Sequence, residues 1–265
     1  MTAPGSQPPG GTASPAAGRE AGQTGAAASQ LRLAIISLLS FAATEEELLL
    51  AGAGQGSQPD GDAAGSPQCW AAVPVVAHNT EFKQQQVQRL AAISDGGQPP
   101  EFAEVDHQSA AVYQRYRAQP ADQVASQSRA VSRALLDRVT GTCDADLLDP
   151  ARHRWLHGRQ LGLQIIVRGF WHPTGHIADY YLQHGEASRA IALQEQAVRT
   201  AEYAAAPPAA LGMACYSLAC ARAVAGLTGA AADALRRAIA LNADLRAKSA
   251  SDPDLTVLRA AGLAG

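Results

Sequence analysis

Residues 163–185, LQIIVRGFWHPTGHIADYYLQHG, carry His172 and His176 four positions apart in a mostly apolar run. On a helix, side chains at that spacing leave one face about a turn apart. The geometry suits two imidazoles on one zinc-like ion. The plainer alternative is two polar residues that happen to fall at helical spacing. Pro173, between them, has no N–H to give to the carbonyl of residue 169. Residue 169 is glycine, with no side chain to crowd a kink, so the spacing predicts a bend that aims His172 inward. A third histidine, His78, sits in VPVVAHNTEF, behind Val75 and Val76 and four residues before Phe82. A polar group on such a buried stripe needs a partner, because leaving it unsatisfied costs about 1–3 kcal/mol. A metal, a backbone carbonyl or an aspartate would each serve. Facing helices of a bundle bring such inward positions together, and metal sites of bundles are built there.

Other polar residues compete for a role. Tyr180, four after His176, falls near the histidine face and is a candidate donor to a substrate, with core packing as its alternative. Asp179 lies three after His176. Glu81, three after His78, is a candidate base or orienting group, with a solvated helix face as its alternative. His153 and His157 belong to a basic loop, RHRWLHGR, anchored by Trp155. Trp70 and Trp171 are expected to wall a pocket or fill the core. The cysteines at 69, 143, 215 and 220 form no CxxC pair. Cys215 and Cys220, five apart, leave different faces of a helix, which argues for core packing and against a shared metal.

These side chains must be carried by helices. Hydrophobic residues make up 47% of the 265, largely alanine, and β-branched residues are sparse. That composition favours closely packed helices over strands. A net charge of −3 lacks the basic footprint of a nucleic-acid binder. No uninterrupted apolar run reaches the ~18 residues a membrane span requires, and the N-terminus lacks a secretory pattern. The reading is therefore a cytoplasmic protein with no membrane and no nucleic acid among its partners.

Along the chain, residues 1–28 are Pro-, Gly-, Ser- and Ala-rich and are expected to be disordered. A first helix is predicted over 29–42, and Thr44 with Glu47 fits a capping box opening a short second piece. The next helix is expected to start near Pro74 and run to Asp95-Gly96-Gly97. One further helix is predicted on each side of Pro120, the second running to Gly141. After a loop over 141–158, a long helix is predicted over 159–183, closed by Gly185. From residue 186 the pattern changes to three helices, and in the last two Ala, Tyr, Leu, Ala, Gly226 and Ala-Leu-x-x-Ala recur at tetratricopeptide positions. The division is thus a tail (1–28), a bundle (29–185) and a helical extension (186–265) whose hairpins must dock on a neighbour.

Trp70, VVAHNTEF in the second helix, RYRAQPADQVASQSRAVSRAL, and the H-x-x-x-H of GFWHPTGHIADYYLQHG together resemble the DinB/YfiT-like superfamily. The resemblance covers about residues 30–185 and is closest to the ClbS/DfsB-like branch, with a tetratricopeptide-like C-terminus added. It implies an all-α fold built on an antiparallel four-helix bundle. It also implies a divalent metal (Zn, Ni, Fe or Mn) on His78, His172 and His176, with coordination positions left for a water or a thiol. The implied activity is hydrolysis of a reactive electrophile, or transfer of a thiol to it, in protection against a natural product. The partner is then a small-molecule substrate. A sequestering protein without catalysis, a homodimer, and a protein partner held by the C-terminal hairpins remain open.

Overall fold

The computed structural model describes residues 15–53, 70–102 and 105–263. Every regular element among them is helical. The main helices are α1 (Pro15–Ala53), α2 (Ala72–Ser94), α3 (Val105–Tyr116) and α4 (Ala121–Gly141), followed by a short α5 (Asp144–Leu148). One long helical run then passes from α6 (Leu161–Ile166) through a π-helical turn (Val167–Trp171) into α7 (His172–Gln183). The C-terminal part comprises α8 (Ala187–Tyr203), α9 (Pro208–Val224), α10 (Thr228–Leu241), α11 (Leu245–Ser249) and α12 (Thr256–Ala260). The element order follows the hydrophobic periodicity, and glycines end helices as expected, with Gly96, Gly185 and Gly226 all at positive φ.

Two expectations about the first helix are corrected. The first helix starts at Pro15, so residues 15–28 of the expected disordered tail are helical; residues 1–14 lie outside the described ones. Alanine-rich sequence after a first-turn proline is good helix material. The break near Thr44 is absent. Its hydroxyl donates to the Ser40 carbonyl at 3.0 Å, one turn back, instead of capping a new start. The resulting continuous helix contains a stretch, residues 25–52, long and apolar enough by length and mean composition to cross a membrane. Its apolar face is used inside the protein, where Leu31, Ile35, Leu38, Leu39 and Ala42 are buried in the core.

α2 packs on α4 and α3, α1 packs on α4, and the α6–α7 run lies against both α1 and α2. Between α1, α2 and α4 lies a buried polar cluster. Lys83 Nζ stands 2.6 Å from Glu46 Oε2 and donates to Ser132 Oγ at 2.8 Å, while Ser128 Oγ donates to Glu46 at 2.7 Å. Lys83 and Glu46 are 2% and 0% exposed, so each charge depends on the other for compensation.

The boundary expected at 185/186 does not separate two cores. One buried cluster runs from Leu31, Ile35 and Ile165 through Ala197 and Tyr216 to Leu258. Two hydrogen bonds reinforce the junction. Gln194 of α8 donates to the Thr174 carbonyl of α7 at 2.9 Å, and Trp171 Nε1 donates to Ser217 of α9 at 2.7 Å.

Two outcomes follow. Lys83→Met should destabilise the protein by about 3–5 kcal/mol in denaturant unfolding, through the orphaned Glu46 charge, and the double variant with Glu46→Met should recover most of that loss. A chain ending at residue 186 should lose its cooperative thermal transition and self-associate, measured by circular dichroism and light scattering, because the face that α8 and α9 cover becomes solvent-exposed.

Candidate metal centre

The π-helical turn is the local event that sets up the site. Pro173 offers no N–H to the Gly169 carbonyl, and the run widens over Val167–Trp171 immediately before it. Thr174 braces the same turn: its buried hydroxyl donates to Phe170 O at 2.9 Å and Trp171 O at 3.2 Å. Gly169 is where the turn meets α1: a Cβ there would overlap Leu39 Cδ2. One residue of a helix corresponds to about 100° of rotation, so the extra residue in the widened turn decides which face His172 and His176 present. That face is the one toward α2.

Three imidazoles meet there. His78 from α2 is fully buried. Its Nε2 lies 3.0 Å from His172 Nε2. The ring centroids are 5.0 Å apart for His78 and His172, 4.9 Å for His78 and His176, and 4.4 Å for His172 and His176. One nitrogen from each ring falls within 4.8 Å of the other two, so the group could hold a metal ion. The fit can be checked against ligand geometry. Two nitrogens each about 2.0–2.1 Å from one ion, at 90–109° to each other, stand roughly 2.8–3.4 Å apart, and the 3.0 Å separation of His78 and His172 falls in that range. Without a metal, one of these two facing nitrogens must donate to the other.

The surroundings favour the neutral form of two of the rings, His78 and His172, the state a ligand requires. Burial lowers the His78 pKa to about 3, with further depression from His176 and Arg168. Burial likewise pushes His172 well below the ordinary histidine range, helped by His176, His78 and Arg168. The Arg168 guanidinium lies over the Phe82 ring at 5.1 Å, and Phe82 in turn packs on His78 and His172 at 4.6 and 4.7 Å between centroids. Trp70 stands edge-on to His78 at 5.6 Å. The nearest carboxylate to the triad on α7 is Asp179, 3.8 Å from His176 Nδ1.

His172 and His176 line a cavity of about 240 Å³, with His78 buried behind them. α7 gives it His172, His176 and Asp179, with Trp171 just before them. The opposite wall comes from the C-terminal part: Tyr216, Ser217 and Cys220 of α9, Lys248 of α11, and Asp252 and Asp254 after it. Asp252 is held by several partners at once. Tyr216 OH donates to it at 2.8 Å, Lys248 Nζ lies at 3.3 Å, and its other oxygen accepts from the Asp254 N–H at 3.2 Å. Asp254 has no such partners, and burial together with Asp252 and Asp179 raises its pKa to about 6.

The other expected site residues lie elsewhere. Glu81 accepts from Arg115 at 3.0 Å and Tyr116 at 3.1 Å, toward α3, and does not line the cavity. Tyr180 stacks on His184 at 4.0 Å, while the His184 ring bonds the Tyr180 carbonyl through Nδ1. His153 is buried beside Asp146 at 3.4 Å and packs on Trp155, apart from the triad. Cys215 is buried in the core as expected, whereas Cys220 faces the cavity. Cys69 and the side chain of His107 lie outside the described residues. Tyr216, Lys248, Asp252 and Asp254 were not anticipated. Tyr216 and Asp252 are 36 residues apart, and no local spacing links them.

Fold and site together define an all-α protein with a three-histidine candidate metal centre walled by its own C-terminal helices. No family model, curated protein or solved structure matches the chain.

The depressed His78 pKa has a stability consequence. The unfolded chain binds a proton at this residue below about pH 6.5, and the folded one only near pH 3. Stability is therefore fully present above pH 6.5 and declines as pH falls, by about 1.4 kcal/mol per unit for this group. Metal-free protein should lose unfolding free energy between pH 6.5 and 4 more steeply than His78→Gln does. Parallel pH profiles in urea unfolding would show that His78 charges readily in the folded state.

Proposed function

We propose that the chain is a metal-dependent enzyme acting on a small electrophilic molecule, by hydrolysis or by transfer of a thiol. The observation that supports this most is the convergence of His78, His172 and His176, two of which, His172 and His176, line a cavity. Three protein ligands and an open side are the arrangement of catalytic rather than structural sites. A divalent ion held there supplies Lewis acidity and lowers the pKa of a water or thiol beside it. The protein's own groups do the rest. His78, buried between Trp70 and Phe82, fixes the inner ligand position. His172 and His176 form the edge that a substrate approaches. Asp179 lies beside His176 and lines the cavity, so it takes the proton released by the nucleophile. Trp171, tied to Ser217, shapes the wall and keeps the substrate side partly shielded from water.

The four-helix arrangement of α1, α2, α4 and the α6–α7 run, and the order of the ligands along the chain, favour a DinB/YfiT-like reading of the fold. The hairpins of α8, α9 and α10 fit a tetratricopeptide-like extension within the same reading. Their part is to complete the cavity, which favours an enzyme over an adaptor that recruits a protein partner. The compartment in this reading is the cytoplasm.

Purified protein should contain about one equivalent of a divalent metal (Zn, Ni, Fe or Mn) by plasma mass spectrometry. His78→Ala, His172→Ala and His176→Ala should each lose most of it, since three ligands leave no redundancy, while His184→Ala should keep it. Full metal content in the His172→Ala protein would overturn the assignment.

A further inference from the structure

We propose that the cavity beside the triad selects a small organic cation, with an ammonium or amidinium group seated between Asp254 and the aromatic faces of Trp171 and Tyr216. This deepens the proposed function by naming a substrate class, and it rests on that reading only for what happens at the metal end. Three carboxylates, Asp179, Asp252 and Asp254, line the cavity against a single cation, Lys248. That lysine is already committed: it pairs with Asp252 at 3.3 Å and lies 5.5 Å from the Tyr216 ring centroid. No lysine or arginine among the described residues forms an ion pair with Asp179 or Asp254. Burial, with the like charges of Asp252 and Asp179 beside it, holds the Asp254 carboxyl up at about 6, against the opposing pull of Lys248. A ligand cation relieves the repulsion. Trp171 and Tyr216 line the same cavity, and the Lys248 ammonium over the Tyr216 ring shows that a cation fits there, a place that a ligand ammonium would share or take over. An anionic substrate would meet three carboxylates and is excluded by the same charges.

A second divalent ion is the other cation this wall could attract, since ligand atoms of Cys220, Asp252 and Asp254 fall within 4.8 Å of one another. Two observations favour an organic cation. Asp252 is occupied by Tyr216, Lys248 and the Asp254 N–H, so it has little left for a metal. The space, about 240 Å³, is far larger than one ion needs, the share of a single water in the liquid being about 30 Å³.

The test is ligand-observed NMR titration of the full-length, metal-loaded protein with n-butylammonium, 1-butanol and butyrate. Saturable binding is expected for n-butylammonium alone. Asp254→Asn should weaken it about ten-fold, the loss of one charge-assisted contact. Lys248→Met should tighten it, because the competing cation is gone; this variant keeps the test valid if the first folds poorly. Equal binding of 1-butanol and n-butylammonium, or binding indifferent to both substitutions, overturns the inference. So does a second metal equivalent in wild type that Asp254→Asn removes, which makes the cluster a metal site. Metal analysis of the same samples separates the two readings. A metal-bearing triad without ammonium binding overturns the cation pocket alone. Ammonium binding by a protein whose triad holds no metal overturns only the metal centre.

Discussion

A single missing N–H, that of Pro173, shapes the part of the molecule where chemistry can occur. Because the Gly169 carbonyl cannot be bonded one turn on, the helix widens over Val167–Trp171, and the extra residue turns everything after it. The turn is held from three sides: by the Thr174 hydroxyl on the Phe170 and Trp171 carbonyls, by the close approach of Gly169 to Leu39 of α1, and by the Trp171–Ser217 hydrogen bond to α9. With it fixed, His172 and His176 face His78 across the interior. Moving any of the three supports would act on the triad without touching a ligand.

The triad is also an electrostatic arrangement. Burial, with Arg168 and the neighbouring imidazoles adding to it, favours the neutral rings of His78 and His172. Their lone pairs are therefore available where free histidines would begin to hold protons. A few ångströms away the sign of the field changes, as Asp179, Asp252 and Asp254 gather against one lysine. A neutral ligand set next to an acidic wall gives the cavity two chemically distinct ends. The Lys83–Glu46 pair lies outside this scheme and belongs to the packing of α1, α2 and α4, each charge compensated within the interior.

Much of this was legible in the sequence. Alanine-rich composition and apolar periodicity determined an all-helical chain, because the backbone bonds of a helix are satisfied locally. The four-residue spacing of His172 and His176, and the apolar stripe around His78, marked the three residues that the structure brings together, since side-chain direction along a helix follows from spacing alone. Pro173 after Gly169 signalled an irregularity in the right place, though an extra residue in the turn and a kink are indistinguishable from residue types. The candidates Glu81 and Tyr180 show the limit of that logic. Spacing put them near the histidines, but Arg115 and Tyr116 claim the first and His184 the second.

Tertiary structure alone decided the rest. Whether the chain after residue 186 packs as a separate unit or completes the core depends on which apolar faces meet, and alanine-rich faces are too alike for sequence to choose between partners. The cavity's acidic wall arises from that docking, with Tyr216 of α9 reaching Asp252 across 36 residues of chain. Local sequence determines which way a side chain leaves its own helix. What it meets there is set by the packing of helices distant in sequence, and that packing is what joined the histidines to the carboxylates.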